Sequence, residues 1–464
     1  MDAQHLRSAL SRLTEFARRY ERLFGRPELG RHARVYLRGL LGGAERKSVE
    51  PVALEEAVPV RTLQHFVGQA RWRDERVLAE HQRHVSETLG RPGGVLVLDS
   101  SGFPKQGRHS VGVARQWCGN LGKEDNCQVG VFLGYASERG HTLLDRRLYL
   151  PRAWAQDSER RIDGHVPDVV SFKPGWELGW EMVLEARRRG VPHGWVTGDE
   201  EFGKSYPLAD QLHTYGQAYV FEVPTTYAVY DEPPRFRKAF KRKTGRPAGK
   251  PGVIGGRTPE TAATVIEALG PKDWQRYRVR DGEKGPLEVE ATRVQIWLSR
   301  DLMPGRPAWL IATRTRGPKP ERKFFLAECG WRTSLQEILR AAFSRWSIEQ
   351  CFLQGKQELG MDQYETRSWA GWHHHMTMVI LAHHFLVLER GRGGKKGGGL
   401  HGRRSRPGSA RAARTGTRST PKALRADSLS HPRTQAGPGL TLPTGSPSQT
   451  PSEASRMKTV SNVA

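Results

Sequence analysis

Through residues 1–90, apolar residues recur every three to four positions. "LSRLTEFARRYERLF" is closed by "GRPELG" and followed by "RHARVYLRGLL". "VEPVALEEAVPVRTLQHFVGQARW" then breaks at Val58-Pro59 into two short helices. The pattern predicts a helical N-terminal region ending in a helix-turn-helix-like pair. Arg61, Gln64 and His65 would face outward on its second helix. A small helical bundle with a solvated basic face fits the same pattern equally well.

The period then changes. "GGVLVLDSSG" is a short continuous apolar run, as in a strand buried on both faces, and it closes on Asp99. "NCQVGVFLGYAS" and "HTLLDRRLYLP" predict a hairpin turning through "ERGH". "SFKPGWELGWEMVLEARRRG" predicts a helix with a glycine stop, and "PHGWVTGDEEFG" a strand closing on Asp199. Residues 206–335 read mostly as strand and turn around the basic loop "RFRKAFKRKTGRPAGK". Helices return over 336–389, and residues 390–464 lose all periodicity in Gly, Ser, Pro, Thr and Arg, so disorder is expected there. The fold class is α/β: a mixed sheet begun in 91–205, a β-rich insertion in 206–335, and closing helices in 336–389, preceded by helical 1–90.

Charge narrows the partners. The 464 residues carry a net charge of +25. Residues 390–464 hold 15 Lys and Arg against Asp427 and Glu453, so about half the excess lies in the tail and the body is still basic. DNA is the expected partner. The candidate contacts are Arg61, Gln64, Lys105 and the loop residues Arg237, Lys238, Lys241, Arg242 and Lys243. "MTMVILAHHFLVL" is too short to span a bilayer, and "MDAQHLRSALSRL" has no signal-peptide core. No membrane partner and a cytoplasmic, nucleoid-associated location are therefore expected. The cysteines (Cys118, Cys127, Cys329, Cys351) are scattered and suggest neither a disulfide framework nor a thiolate zinc site.

The candidate chemistry is acidic. A carboxylate closing a strand sits at the rim of a sheet, where α/β folds bind ligands, although either Asp alone is more often a turn or cap residue. On a helix, Arg345, Glu349, Phe352 and Lys356 fall within about 60° of one another, bordered by Trp346 and Leu353 on one side and Ile348 and Cys351 on the other. Such flanks predict burial around a polar centre rather than a surface ion pair. Three carboxylates from two strands and a helix suit a pair of Mg²⁺ or Mn²⁺ ions in phosphoryl transfer. Lys356 would hold a phosphate and Arg345 would orient the carboxylate. His373, His374 and His375 point about 100° apart in succession and cannot converge on one ion, so polar packing or backbone contact with DNA is expected of them. Trp369 and Trp372 read as core.

Arg345-x3-Glu349-x6-Lys356 matches the R-x3-E-x6-K part of the signature of IS4-like transposases. "LDSSGFPKQGRHSVGVARQWCGNLGKEDNCQVGVFLGYA", "WVTGDEEFG" and "RWSIEQCFLQGKQELGMDQYETRSWAGWHHH" most resemble the IS701 family within that group, over roughly residues 20–390. The resemblance implies an RNase H-like catalytic core with a DDE triad of Asp99, Asp199 and Glu349. It further implies cleavage at the ends of an insertion element, joining of the 3′-OH to target DNA, and assembly of several copies on DNA. The chain departs from the signature at Ala342, where a Tyr is usual, and carries Ser100 where a second acid is common. After "HHFLVLER" a frameshifted or decayed C-terminus is expected. The alternatives are an inactive DNA-binding remnant and a stand-alone metal-dependent nuclease of the same fold.

Overall fold

A computed structural model describes residues 3–237, 252–282, 285–301, 303–316 and 320–393. Lys238, Lys241, Arg242, Lys243 and residues 394–464 of the tail expected to be disordered or decayed lie outside the described residues, while residues 390–393 of that tail are helical.

Five helices come first: α1 (Ala3–Glu21), α2 (Pro27–Leu41), α3 (Val49–Glu55), α4 (Val60–Gly68) and α5 (Asp74–Thr88). Proline opens α2, where its missing N–H costs nothing. Pro59 stands at the N-cap of α4, so the break between α3 and α4 falls where expected. Leu63, Phe66 and Val67 are buried on α4, while Arg61, Gln64 and His65 are exposed.

The central part comprises β1 (Val95–Pro104), β2 (Ala114–Cys118), β3 (Lys123–Ser137), β4 (Gly140–Leu148), α6 (Arg152–Ala155), α7 (Ser158–Asp163) and α8 (Gly175–Arg188). It continues with β5 (Trp195–Gly198), α9 (Glu200–Gly203), α10 (Tyr206–Thr214) and β6 (Tyr219–Val223). β1 runs antiparallel to β3 and parallel to β5, and β5 runs parallel to β6. β4 lies antiparallel on β3, giving the order β4-β3-β1-β5-β6.

After these come β7 (Ala228–Tyr230), β8 (Phe236–Arg237), β9 (Gly252–Val253), β10 (Glu260–Thr261) and α11 (Ala262–Glu267). Four longer strands follow: β11 (Gln275–Gly282), β12 (Gly285–Arg300), β13 (Met303–Arg314) and β14 (Arg322–Glu328). The segment expected as a β-rich insertion continues the central sheet. From β6 the order runs through β14, β13, β12 and β7 to β10, with β11 on β12, while β8 and β9 pair by themselves. Valine, isoleucine and aromatic residues on these strands bury a common face of their own beneath α11.

The chain closes with α12 (Leu335–Phe343), α13 (Trp346–Leu359) and α14 (Trp369–Gly393). Met376 to Ala382 of α14 are buried without a break, and the N-terminal helices pack around this helix in one shared core. Its histidines are buried in that core. His374 sets Nδ1 and Nε2 against the carbonyls of Val67 and Trp72 at 3.0 and 3.1 Å. His375 meets the Tyr36 hydroxyl and the Gly360 carbonyl, and His383 meets Thr142 and Gln354. Polar packing is their role. Contact with DNA, weighed for them above, is closed off by burial. Trp372 is fully buried, in keeping with the core reading.

Two details of the strand and helix expectations change. β1 does not end at Asp99 but runs on to Pro104, because its antiparallel partner β3 is long while β5 stops opposite Leu98 at Gly198. The apolar flanks of the α13 stripe are not both buried. Ile348, Cys351 and Gly355 pack inward, whereas Trp346 and Leu353 are 39% and 45% exposed. The charged stripe therefore lies at the margin of the buried face, open to solvent on one side.

Candidate active site

The end of β5 opens the site. Asp99 is paired to Phe132 of β3 on one side, and on the other the neighbouring strand has just stopped. Asp199, the next residue after β5, caps α9: its Oδ1 accepts the N–H groups of Glu201 and Phe202 at 3.0 and 3.4 Å. It is thus both a cap and a rim carboxylate. Gly203 lets α9 press onto β6, since a Cβ there would stand 2.0 Å from the carbonyl oxygen of Glu222.

Arg345, at the start of α13, draws these elements together. Its Nη2 lies 2.6 Å from Glu349 Oε1, its Nη1 3.5 Å from Asp99 Oδ2, and its Nε 3.6 Å from Glu222 Oε2. Glu349 is 46% exposed, while Asp99, Glu222 and Arg345 are much more enclosed. Burial, and then the charge of Asp199, push the Asp99 carboxyl up to about 8, against Arg345 and the Ser100 N–H at 2.7 Å, with the Glu349 carboxylate adding to the rise. Burial raises Asp199 as well. One guanidinium thus pairs with three carboxyl groups and acts by charge on a fourth, Asp199, and the pocket is short of positive charge.

This imbalance has a measurable consequence in the metal-free protein. The folded Asp99 pKa lies above its ordinary 3.8, so its contribution to stability is fully present below that value and is lost as pH rises through about 8. The melting temperature should fall by a few degrees between about pH 5 and about pH 8, and Asp99→Asn should flatten that decline. Equal slopes for the two proteins in a thermal-unfolding series would contradict the buried, crowded carboxyl.

Among the described residues no three His, Cys, Asp or Glu are gathered as a ready-made metal cage. Arg345 stands between Asp99 and Glu349 instead. The donors are nonetheless hard oxygens, with the Asp99 carboxyl raised by burial and by the charge of Asp199, and that chemistry fits Mg²⁺ or Mn²⁺ once the guanidinium gives way.

Lys356 lies along the same helix, with Nζ 3.5 Å from the Gly102 carbonyl and 5.4 Å from the centre of the Phe103 ring. It therefore reaches β1 three residues beyond Asp99, and burial lowers its pKa. Lys105, expected as a DNA contact, packs inward: its ammonium lies 3.6 Å over the Tyr364 ring and donates to the Tyr364 carbonyl at 3.3 Å. Burial lowers it to about 8. Arg61, Gln64 and Arg237 are exposed, as a surface contact requires. Two site residues were missed from the sequence: Glu222 and Lys323, whose Nζ lies 3.3 Å from Glu222 Oε1. The available signal was one acid in the otherwise apolar "YVFEV".

The family model described as "DDE superfamily endonuclease" matches residues 19–286, a range that holds Asp99, Asp199 and Glu222 and ends before α13. The "Probable transposase for insertion sequence element IS701" of Microchaete diplosiphon is 29% identical over 170 residues, which is 36% of this chain and 41% of that protein. The chain is thus matched to less than half of that relative's length. Among solved structures, the NurA nuclease from Sulfolobus solfataricus aligns at 10% identity with a TM-score of 0.25, over 61% of this chain and 90% of that one. No helix among the described residues is long and apolar enough to cross a membrane.

Proposed function

This chain belongs to the DDE superfamily of endonucleases, and from that premise we propose that it is the transposase of an insertion element. It would cut phosphodiester bonds at the element's ends and join the freed 3′-OH to target DNA. The observation that carries the reading is that Arg345 joins Asp99 of β1 to Glu349 of α13, with Asp199 at the end of β5 near enough for its charge to raise the Asp99 carboxyl. The strand order β4-β3-β1-β5-β6, antiparallel then parallel, supports an RNase H-like core. Similarity to the IS701 transposase supports transposition over simple cleavage.

In this reading Asp99, Asp199 and Glu349 hold Mg²⁺ or Mn²⁺. Bound there, the ions would activate the attacking water or 3′-OH and stabilise the leaving oxygen. Asp99 would hold the ion as its carboxylate. Asp199 keeps its orientation through the α9 N–H groups it already accepts. Arg345, released from the carboxylates, and Lys356, poised along β1, bind and orient the scissile phosphate. The exposed residues of α4 and Arg237 extend the DNA contact, and two copies bring two element ends together.

The test is incubation of the purified chain with DNA carrying the element's ends and Mg²⁺, followed by separate scoring of cut and joined products. The reading expects both. Cutting without joining would leave a stand-alone nuclease, and binding without cutting an inactive remnant. If Arg61 contacts phosphate, Arg61→Ala weakens binding to all sequences alike and lowers the slope of log K against log salt by about 1. An unchanged slope in a salt titration would remove Arg61 from the interface.

A further inference from the structure

Glu222 is the acid of the site that the DDE reading leaves without work. It sits on β6, flanked by β5 and β14, with its backbone in register with Phe325. Gly203 of α9 packs directly against its carbonyl. Its two carboxylate oxygens face different cations: Oε1 meets Lys323 Nζ at 3.3 Å and Oε2 meets Arg345 Nε at 3.6 Å. The guanidinium is thus met by a carboxylate at each of its three nitrogens. Glu222 holds the Nε edge, while Asp99 and Glu349 hold the two Nη ends.

If Asp99 and Glu349 turn to a divalent cation, those Nη ends lose their partners and face a like charge. A largely enclosed guanidinium stripped of its carboxylates is costly unless another acceptor takes it. Glu222 is the acid already in place. It is fixed by strand pairing to Phe325 on one side and by Lys323, and it meets Arg345 without sharing the oxygens the ions would need.

Resting on the reading above, we propose that Glu222 is a positioning residue, the seat that receives Arg345 when Asp99 and Glu349 bind divalent cations. In the metal-free protein Arg345 stands in for the missing cation. On loading, the guanidinium pivots about the end held by Glu222, freeing the metal ligands and turning its Nη ends toward the DNA phosphate. The same carboxylate therefore governs how readily the ions enter.

Mn²⁺ binding to the DNA-free protein, followed by calorimetry, tests this. Glu222→Gln should lower Mn²⁺ affinity about 10- to 100-fold, the range for a residue that supports metal ligands without touching the metal. DNA cleavage by that variant should need more Mg²⁺ and recover as Mg²⁺ is raised. Arg345→Gln removes the competing cation and should raise Mn²⁺ affinity, and adding Glu222→Gln to it should change nothing further. An equal loss from Glu222→Gln in both backgrounds would make Glu222 a direct ligand and overturn the proposal. Should Glu222→Gln fail to fold, Arg345→Gln alone decides, since unchanged or weaker Mn²⁺ binding contradicts a displaced guanidinium. Failure of the underlying reading looks different: wild-type protein that binds no Mn²⁺, or Asp99→Asn and Glu349→Gln variants that bind it as the wild type does.

Discussion

Replacing Glu349 by Gln, or Asp99 or Asp199 by Asn, is expected to lower metal-dependent DNA cleavage by about a thousandfold or more while leaving DNA binding in place. Each substitution removes charge and little else. Glu349 is nearly half exposed, and its partner is a helix neighbour one turn back, so Gln is accommodated there. Asp199 caps α9, and Asn caps a helix about as well as Asp, so Asp199→Asn separates the ligand role from the cap. Asp99→Asn relieves the repulsion that raises its carboxyl, and the metal-free protein should lose no stability by it. Groups that act as one centre give strongly non-additive losses, so pairing two of these changes should be scarcely worse than either alone. Steady-state cleavage of labelled DNA checks this. Cleavage that persists in any one variant would take that residue out of the chemistry.

Gly203→Ala should damage both the fold and the site. Its added methyl would stand 2.0 Å from a backbone oxygen, that of Glu222, and backbone cannot rotate aside as a side-chain tip does. Either α9 or β6 must move. The first carries the N–H groups that orient Asp199, and the second carries the carboxylate that holds Arg345. Forced overpacking of this kind costs about 1–3 kcal/mol. The expected result is a clear drop in denaturation midpoint together with near-complete loss of cleavage. Gly119→Ala is the contrasting control, because no atom lies within 4 Å of a Cβ there and its backbone is outside the left-handed region. If Gly203→Ala cut DNA like the wild type, the close contact between α9 and β6 would not be what sets the site.

Much of this candidate site was legible in the sequence, for physical reasons that differ by residue. Asp99 and Asp199 were visible because each interrupts a continuous apolar run, which marks where a buried strand reaches the rim. Glu349 was visible because Arg345 and Lys356 share its helix face, a local periodicity. The histidines of α14 could be set aside as metal ligands on angular grounds, and their carbonyl and hydroxyl partners bear out polar packing. Glu222 was not readable. It reaches the site only through the parallel pairing of β5 with β6, a long-range contact that no local pattern encodes. Trp346 and Leu353 misled for a related reason. Their helix position was right, but which flank of α13 is covered depends on Gly134, Ile348 and Met361 packing on the other side. Lys105 was judged by charge, whereas the Tyr364 ring that captures it lies far along the chain. The short edge strand β2, with Cys118 its one buried residue, left no hydrophobic alternation to detect.

The central claim is that acids from β1, the end of β5 and α13 form one metal centre. Fe²⁺ bound in place of Mg²⁺, with ascorbate and peroxide, cuts the polypeptide next to the ion, so mapping the fragments tests the claim most directly. The account predicts cuts clustered near Asp99, Asp199 and Glu349, suppressed together by excess Mg²⁺ and lost together in Glu349→Gln. Cuts confined to one of these segments, or placed elsewhere in the chain, would contradict it.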